Sequence, residues 1–438
     1  MLFCIADINY VVLFFFFRNV FNFVRPCECI DNAGKEKSIK PQTVKVLIVS
    51  FYYEPELGAA PSRITNLARG LKASGVDVDV LTSLPNYPKG RIFDGYRGHC
   101  SMKEQIDGIN VYRYWTYATV SKNPFKRVLA MTAYAMTMWS FAFKRKLIKS
   151  YDRVIVQSPP ILVSVSAITL FKKLFGKKVI LNVSDLWPGS AVELGFVRKE
   201  SLSFKVLSRF EKYIYKNAHS VMGQSQEIVE HVETMFPGKS TFLYRNLQPA
   251  ENQPATIKQK SGVLKIVYAG LFGVAQDMLS LLKSIDFKAL GVEMHLYGGG
   301  NQVEVIQEYI KDGDKNIWYH GYVSKQQINE ELKKYHLSII PLAAAIHGAV
   351  PSKIFDLLPA GIPILFSGNG EGARIVNECG FGLVSEYGDY KALEKNIRAF
   401  VEMSPGEYAT YSANCYNAST NAFSFSKQLE RFVGFIEE

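Results

Sequence analysis

Cysteine and histidine are scarce in this chain of 438 residues, and neither is arranged as a metal site or a disulfide scaffold. The six cysteines are scattered without the dense spacing of disulfide-rich domains, which indicates a reducing, cytosolic compartment. Cys27 and Cys29 are the one close pair, and no second Cys or His pair stands near them to complete a four-ligand zinc site. The seven histidines are scattered too, so the sequence predicts no metal, and it shows no Ser-His-Asp or Cys-His constellation.

Long apolar runs are also lacking. The opening segment is apolar, but it has an acidic residue and no basic one ahead of the run, and no small-residue cleavage site follows, so it makes a poor signal peptide. Its core, Val11 to Phe17, is far shorter than the ~20 residues that span a bilayer. We interpret residues 1–43 as an extension that is either foreign to the native protein or disordered, and we hypothesise that translation begins near Val44, just before the first convincing strand.

Acidic residues are outnumbered by basic ones. Lys and Arg total 51 against 40 Asp and Glu, a net charge of +11. This excess suggests anionic partners such as lipid head groups, nucleic acid or phosphorylated substrates, and charge alone does not choose among them. With 48% apolar residues, the chain can bury one large core or two of ordinary size, and its length favours two domains.

Short β-branched runs alternate with segments of helical period from Val44 onward, which is typical of parallel strands joined by crossover helices. The first half is predicted to contain the strands VKVLIVS, VDVDVLTS, RVIVQS, KVILNVSD and SVMGQS. A polar stretch with two prolines and no periodicity follows and is typical of a linker. The alternation then restarts with LKIVYAGLFG, VEMHLYGGG, NIWYHGYV, LSIIPLA, IPILFS and FGLVSE.

We therefore predict two doubly wound α/β domains that face each other across a cleft, because such sheets bind ligands beyond the carboxyl ends of their strands. The predicted boundaries are 44–248 for the N-terminal domain, 249–264 for the linker and 265–420 for the C-terminal domain. Residues 421–438 are predicted to form a helix that packs back on the N-terminal domain.

The segment PSKIFDLLPAGIPIL, residues 351–365, places three polar groups in one narrow wedge of a predicted helix whose opposite side is apolar. The backbone at Ser352 and Lys353 would offer a phosphate the unpaired N–H groups of a helix start, and the Lys353 ammonium would neutralise it. Asp356, an acceptor-only group, lies where a ribose with two hydroxyls would fit. The spacing alone is equally compatible with a surface ion pair between Lys353 and Asp356 on a core helix.

Five further motifs accompany this segment: YYEPELGAAPSRITNLARGL, LPNYPKG, DLWPGS, YAGLFGVAQDM and LYGGG. With these motifs in this order, the chain from about Val44 to its end resembles a bacterial retaining glycosyltransferase of family four with the GT-B fold. It is similar in particular to the branch that acts in O-antigen, capsule or exopolysaccharide assembly. In that fold the N-terminal Rossmann-like domain takes the acceptor and the C-terminal one binds the nucleotide sugar.

The resemblance implies transfer of a hexosyl or N-acetylhexosaminyl group from a nucleotide-sugar donor, expected to be UDP-linked, to a lipid-linked saccharide acceptor. The resemblance also implies that the reaction retains the anomeric configuration, takes place at the cytoplasmic face of the membrane and requires no cofactor. No metal is needed if Lys353 and helix termini carry the diphosphate charge. By the same resemblance, Asp356 stands for the second glutamate of the family's paired-glutamate signature.

One departure from the family concerns the first glutamate of that signature. Eight residues before Asp356 this chain has Gly348, which puts in doubt an acid that contacts the hydroxyls of the donor sugar. The adjacent His347 is the nearest titratable group. It could substitute for the acid, or it is a solvated loop histidine.

In the N-terminal half, the resemblance predicts Gly58 and Ala59 at a helix start that faces the donor phosphates. Asp185 of DLWPGS is predicted at the carboxyl end of a strand, where active-site residues of open sheets collect, and we expect it to be catalytic together with Lys353. The alternative for Asp185 is a helix cap before Trp187 and Pro188.

In the C-terminal half, glycine-rich turns are expected to bring backbone close to the nucleotide. By resemblance, Gln276 stands near where relatives place a basic phosphate-binding residue, and Arg245 is a second cation for the diphosphate. The alternative for the glycines is that they form simple turns. The other predicted donor-binding positions are Gly270, Gly273, Gly298, Gly300 and Val323.

An uncharged segment, VLAMTAYAMTMWSFAF at 128–143, is followed by the basic cluster KRKLIK. It is too short to span a membrane, but an apolar helix beside a basic cluster can lie in an anionic interface. We expect peripheral contact with an anionic membrane, and the alternative is a helix buried in the domain core.

Two alternative functions share part of this pattern. A sugar-nucleotide epimerase can share this architecture and its diphosphate-holding groups, but it needs no acceptor. A non-enzymatic nucleic-acid-binding protein would need a clustered basic face with stacking aromatics, whereas the basic residues here are spread out, so we expect no nucleic-acid partner.

Overall fold

The computed structural model describes residues 44–121, 123–249, 257–273, 275–344 and 346–438. The predictions for residues 1–43, which include the start of translation and the pair Cys27 and Cys29, lie outside the described residues, as does part of the predicted linker.

The N-terminal domain is built on an eight-stranded sheet of order β3-β4-β2-β1-β5-β6-β7-β8. All neighbours are parallel except β3 and β4. The strands are β1 Lys45–Val49, β2 Asp77–Ser83, β3 Ser101–Ile106, β4 Ile109–Tyr114, β5 Arg153–Ser158, β6 Lys178–Val183, β7 Ser220–Gly223 and β8 Ser240–Leu243. The predicted doubly wound half is present, and the hairpin β3–β4 and the edge strand β8, which were not predicted, add to it.

Helices cover both faces of this sheet. Helix α1 buries Ile64, Leu67, Ala68 and Leu71, the residues whose spacing predicted it, and the chain turns away at Gly75, whose φ of 87° suits glycine. The helices are α1 Ala59–Ala73, α2 Pro124–Thr137, α3 Arg145–Ser150, α4 Ile161–Ile168, α5 Gly189–Glu193, α6 Leu202–Asn217 and α7 Gln226–Met235. A 3₁₀ segment, Met138–Phe143, extends α2, and a π-helical segment, Thr169–Leu174, extends α4.

The C-terminal domain is built on a six-stranded, fully parallel sheet of order β11-β10-β9-β12-β13-β14. The strands are β9 Leu264–Leu271, β10 Val292–Gly299, β11 Ile317–Tyr319, β12 Leu337–Pro341, β13 Ile364–Ser367 and β14 Gly382–Ser385. The helices are α8 Met278–Ser284, α9 Val303–Lys311, α10 Lys325–Leu332, α11 Lys353–Leu357, α12 Glu371–Glu378, α13 Tyr390–Glu402, α14 Pro405–Thr420 and α15 Phe425–Glu437. A 3₁₀ turn, Leu358–Ala360, extends α11.

The last helix, α15, packs on the N-terminal domain. Leu429, Phe432 and Ile436 share one buried apolar cluster with Leu67 of α1. Gly70 of α1 allows this approach, because a Cβ atom there would lie 2.9 Å from Leu429 Cδ2. The chain therefore crosses from the second domain back to the first, while the domain boundaries given above stay predictions.

Several buried or partly buried lysines donate hydrogen bonds to the carbonyl groups at the carboxyl ends of helices. Lys177 Nζ donates to the Tyr151 carbonyl beyond α3 at 2.7 Å, and Lys239 Nζ donates to the Ala218 carbonyl beyond α6 at 2.9 Å. Lys258 does the same for α10, and Lys260 for α13. Part of the positive charge of the chain therefore satisfies helix carbonyls rather than external anions.

Among the described residues, no helix is both long and apolar enough to cross a membrane. Within the same residues, no group of three or more His, Cys, Asp or Glu side chains is placed to hold a metal ion.

Candidate active site between the two domains

The two domains meet through the loop that precedes α11 and the amino terminus of α7. Ser225 Oγ donates to the Gly348 carbonyl at 2.7 Å, and the Gly348 N–H donates to Glu227 Oε2 at 2.7 Å. The His347 N–H donates to Glu193 Oε2 of α5 at 3.0 Å. The carboxyl ends of both sheets therefore border one interdomain region.

Gly348, where the family resemblance expects an acid, leaves little room for a side chain. Its φ is +81°, and a Cβ atom there would lie 3.0 Å from Ile228 and 3.1 Å from Leu186. His347 is exposed, and its Nδ1 lies 3.4 Å from Glu227 Oε2. The position of the family's first glutamate is therefore used for contact with the N-terminal domain.

Glu227 was missed by the sequence analysis, and it joins two helix starts across the domains. Its Oε1 accepts the N–H of Glu371 at 3.0 Å, and its own N–H donates to Glu371 Oε2 at 3.1 Å. Each carboxylate thus caps the amino terminus of the other residue's helix. No sequence signal marked this pair, because the two residues are 144 positions apart.

Lys353 begins α11 and turns toward β9. Its Nζ lies 3.2 Å from the Tyr268 hydroxyl and 4.2 Å from the centroid of the Tyr268 ring. A Cβ atom on Gly270 would overlap Lys353 Nζ, so Gly270 makes room for the ammonium. The structure thus brings together Lys353 and Gly270, two residues that the sequence analysis selected separately.

The Lys353 ammonium is held in a desolvated place. Tyr268 Oη donates its proton to the Leu271 carbonyl at 2.6 Å, so its oxygen is left to accept from Lys353. Burial lowers the pKa of Lys353 to about 8, and the charge of Asp356 opposes that shift. The Tyr268 hydroxyl is the one hydrogen-bond partner of this ammonium among the described residues. The cation therefore has unused donors.

The predicted wedge of α11 is present. Ser352 is partly buried, Asp356 is exposed, and Lys353 Nζ bonds the Tyr268 hydroxyl. The ammonium is therefore desolvated beside Tyr268 rather than exposed at the surface, and the charge of Asp356 still acts on it. The opposite side of the helix is buried through Ile354, Phe355, Leu357 and Leu358.

Two glycines of β10 and its turn are needed for backbone packing. A Cβ atom on Gly298 would overlap the Gly270 carbonyl, and one on Gly300 would overlap the Phe272 carbonyl. Their φ angles are 132° and 151°, in the range that favours glycine. This packing brings the ends of β9 and β10 together, and the contact of these glycines with a nucleotide stays a prediction.

The turns after β9 and β11 hold the remaining predicted donor-binding positions. Gln276 Oε1 is buried without a hydrogen-bond partner among the described residues, and a Cβ atom on Gly273 would lie 3.1 Å from it. Val323 is partly buried beside the core of the domain, and the neighbouring Tyr322 is 77% exposed. Their roles in donor binding stay predictions.

Arg245 is engaged between the domains. Its Nη1 lies 2.6 Å from Glu371 Oε1, and its guanidinium lies over the rings of Phe355 and Phe423 at 5.9 and 5.8 Å. Arg245 therefore already has a carboxylate partner, and its predicted role as a second cation for the diphosphate stays a prediction.

Asp185 follows β6 at the carboxyl edge of the first sheet, as predicted, and its side chain is exposed. Ser184 Oγ donates to Asp185 Oδ2 at 3.2 Å. The alternative of a helix cap is wrong, because α5 begins at Gly189 without a side-chain cap. Gly58 and Ala59 are exposed at the start of α1, with Gly58 at φ 138°.

Arg63, one turn into α1, was also missed, although it is the first cation of the motif GAAPSR. Its Nη1 donates to Gln224 Oε1 at 3.2 Å. Burial lowers the pKa of Arg63 to about 10, and the charge of Asp185 opposes the shift. The N-terminal side of the interdomain region therefore holds an arginine within electrostatic reach of Asp185.

Comparison with known proteins identifies a family model and two relatives. Residues 58–241 match the family model described as glycosyl transferase 4-like domain. The chain is 24% identical over 249 residues to WbjE of Pseudomonas aeruginosa, named as a glycosyltransferase, with 53% of this chain and 62% of that protein covered. It is 21% identical over 338 residues to WcaI of Escherichia coli (strain K12), named as a colanic acid biosynthesis glycosyl transferase, with 73% and 82% covered.

Among solved structures, the fold is similar to that of Anabaena Alr3699/HepE in complex with UDP. The TM-score is 0.64 at 12% identity, with 90% of this chain and 100% of that chain covered. At this identity the likeness concerns the fold alone.

Proposed function

We propose that the protein transfers a sugar in surface polysaccharide assembly. The match of residues 58–241 to the glycosyl transferase 4-like domain, the two relatives named as glycosyltransferases and the GT-B fold support this proposal. The donor is a nucleotide sugar and the acceptor a lipid-linked saccharide. The single observation that carries the proposal is the Lys353 ammonium, desolvated beside Gly270 and bonded to one neutral hydroxyl.

A departing nucleoside diphosphate needs such a cation. The bond between the anomeric carbon and the diphosphate oxygen breaks with its electron pair on oxygen, so negative charge grows there in the transition state. Lys353, held by Tyr268 at 3.2 Å, is placed before the reaction and costs little reorganisation. We propose that the nucleotide of the donor is UDP, which the UDP complex of HepE supports, and that the transferred group is a hexosyl or N-acetylhexosaminyl group.

Asp185 is the candidate on the acceptor side. Its carboxylate is exposed at a strand end, fixed by Ser184, and within the electrostatic influence of Arg63. We propose that it orients the acceptor hydroxyl that forms the new bond to the anomeric carbon. Retention of configuration follows from the family resemblance.

The membrane side is proposed to be the outer face of α2 and the segment after it. Tyr134, Met138 and Phe141 of this segment are buried, so the core interpretation holds for one face. The other face exposes Phe125, Leu129, Met136 and Phe143, with Phe143 89% exposed. The basic side chains Lys144, Arg145 and Lys146, which follow, are all exposed. This combination suits peripheral contact with an anionic membrane.

The donor test is thermal stabilisation of the protein by nucleotides and nucleotide sugars. A ligand at 100 times its dissociation constant should stabilise by about 2.7 kcal/mol. Absence of stabilisation by every nucleotide would contradict the proposal. Incubation with the stabilising sugar nucleotide alone distinguishes a transferase from an epimerase. If an isomer of the sugar nucleotide appears without an acceptor, the epimerase alternative is favoured.

The membrane test is flotation with anionic and neutral vesicles. Each of the three basic residues should contribute roughly 1 kcal/mol near an anionic surface, so changing Lys144, Arg145 and Lys146 to Gln should release the protein. The matched control changes the exposed Lys288, Lys391 and Lys395 of the second domain to Gln. Equal recovery of the wild type and the first variant with anionic vesicles would refute the electrostatic contribution.

A further inference from the structure

Arg63 is a cation that the protein holds without neutralising it. No carboxylate among the described residues lies within 4.0 Å of its guanidinium, whereas the buried Arg113 pairs with Glu104 and the partly buried Arg245 pairs with Glu371. Arg69, on the same helix, pairs with Glu54 at 2.8 Å and Asp107 at 2.6 Å. Leaving an arginine unpaired in a partly buried place is costly unless something else pairs with it.

Two hydrogen-bond donors at this place also lack an acceptor. Arg63 Nε and Gln224 Nε2 are both buried and unbonded among the described residues. The two side chains are already joined, since Arg63 Nη1 donates to Gln224 Oε1 at 3.2 Å. Other buried polar side-chain atoms of the described residues also lack a partner, but here two unpartnered donors sit on adjoining side chains. The missing group is therefore an acceptor, and the positive charge favours an anion.

A buried network supports the neighbouring Asp185. Asn182 Nδ2 donates to Gln157 Oε1 at 2.8 Å, and Gln157 Nε2 donates to Ser184 Oγ at 3.2 Å. Ser184 in turn donates to Asp185 Oδ2. Hydrogen bonds therefore connect the polar side chains at the ends of β5 and β6 to the Asp185 carboxylate. The charge of this carboxylate raises the pKa of Arg63 against the effect of burial.

We propose that Arg63 and Gln224 form a binding site for a phosphate oxygen of a substrate, separate from Lys353 and supplied by the N-terminal domain. The inference rests on the proposed function and adds the residues that hold the second anionic group. An arginine fork with an adjacent amide suits a phosphate, which offers several acceptor oxygens and full negative charge. The phosphate belongs either to the diphosphate of the lipid-linked acceptor or to that of the nucleotide donor.

The test compares Arg63→Gln, Arg63→Lys and Gln224→Leu with wild type in calorimetric binding of two probes, UDP and farnesyl diphosphate. Losing a charge-assisted hydrogen bond should weaken the probe that uses the site by about ten- to a hundredfold. Arg63→Lys should weaken it less, because lysine keeps the charge and loses the fork. Arg69→Gln is the matched control and should leave both affinities unchanged, since Arg69 is neutralised within the protein.

Weakened farnesyl diphosphate binding with unchanged UDP binding assigns the site to the acceptor, and the reverse assigns it to the donor. Either result supports the inference, provided that the melting temperature of Arg63→Lys stays that of wild type. If wild type binds UDP and the Arg63 and Gln224 variants bind both probes as wild type does, the inference is overturned while the proposed function stands. If wild type binds neither probe, both are overturned.

Discussion

Two lysines of the C-terminal domain, Lys258 and Lys353, have similarly lowered pKa values but different hydrogen-bond partners. Burial lowers the pKa of each to about 8. Lys258 Nζ donates to the carbonyls of Leu332, Lys333 and Tyr335 at 3.2, 2.7 and 2.6 Å. Lys353 Nζ has the hydroxyl of Tyr268 at 3.2 Å.

This difference shows that a shifted pKa alone does not identify a catalytic or binding residue. An ammonium has three N–H donors, and those of Lys258 all meet carbonyls at the end of α10, so this lysine is part of the fold. Lys353 keeps donors for which the described residues supply no acceptor. The hydrogen-bond count separates a helix-capping lysine from a candidate catalytic residue.

Replacing Lys353 should have the largest effect and should fall on chemistry. We expect Lys353→Ala to lower the transfer rate on the order of a hundredfold, as when one preorganised charge on a leaving group is lost. Its melting temperature should change little, since few bonds to the protein disappear. Initial rates with the donor that stabilises the wild type, together with thermal melts, measure both. Wild-type kinetics in this variant would remove Lys353 from the mechanism.

Replacing Lys258 should give the opposite pattern. Lys258→Met leaves three carbonyls at the end of α10 without their donor and should lower the free energy of unfolding by about 2 kcal/mol. Affinity for UDP should stay that of wild type. Urea denaturation and calorimetry check the two claims, and Lys311→Met, at an exposed position, is the control. A variant that keeps its stability but loses UDP binding would reverse the roles assigned to the two lysines.

The sequence was a good guide to the parallel strands and a poor guide to contacts between distant residues. Buried parallel strands are apolar along their length, so all six strands of the second sheet were predicted. The edge strands β3 and β8 were missed because exposed or partly buried residues make up both of them, and β4 was missed together with its hairpin partner β3. Its Asp107-Gly108 turn, with φ of 49° and 75°, is a hairpin signal that was present in the sequence.

In the candidate active site too, the sequence predicted local features but not contacts between distant residues. The wedge of Ser352, Lys353 and Asp356 follows from helical spacing, and the structure contains it. The contact between Lys353 and Tyr268 joins residues 85 positions apart, and that between Arg63 and Gln224 joins residues 161 apart. Such pairs depend on how crossovers place strand ends side by side, which local periodicity does not encode.

The pH dependence of UDP binding should also separate the two lysines. If Lys353 holds the diphosphate as proposed, its ammonium form is the form that binds, and burial lowers the pKa of this ammonium to about 8. Affinity should therefore be constant below about pH 8 and fall above it, by up to about tenfold per pH unit. Calorimetric titrations from pH 6.5 to 9.5 measure the profile. Lys258→Met should keep the break and Lys353→Gln should lose it, and a break that survives in Lys353→Gln would assign it to another group.

The smallest expected effect concerns Asp356, which influences Lys353 and has no counterpart at Lys258. The charge of Asp356 raises the pKa of Lys353 against burial, whereas burial alone shifts the pKa of Lys258. Asp356→Asn should therefore move the break in UDP affinity to a pH lower than about 8.

If Asp356 also accepts a ribose hydroxyl, the donor KM should rise roughly three- to tenfold, more than kcat falls, because such a contact is made equally in ground and transition states. Rates and UDP titrations on one preparation, with Asp356→Ala alongside, give both quantities. A collapse of kcat with unchanged KM and an unmoved break would show that Asp356 acts on the reacting bond rather than through Lys353 and the ribose.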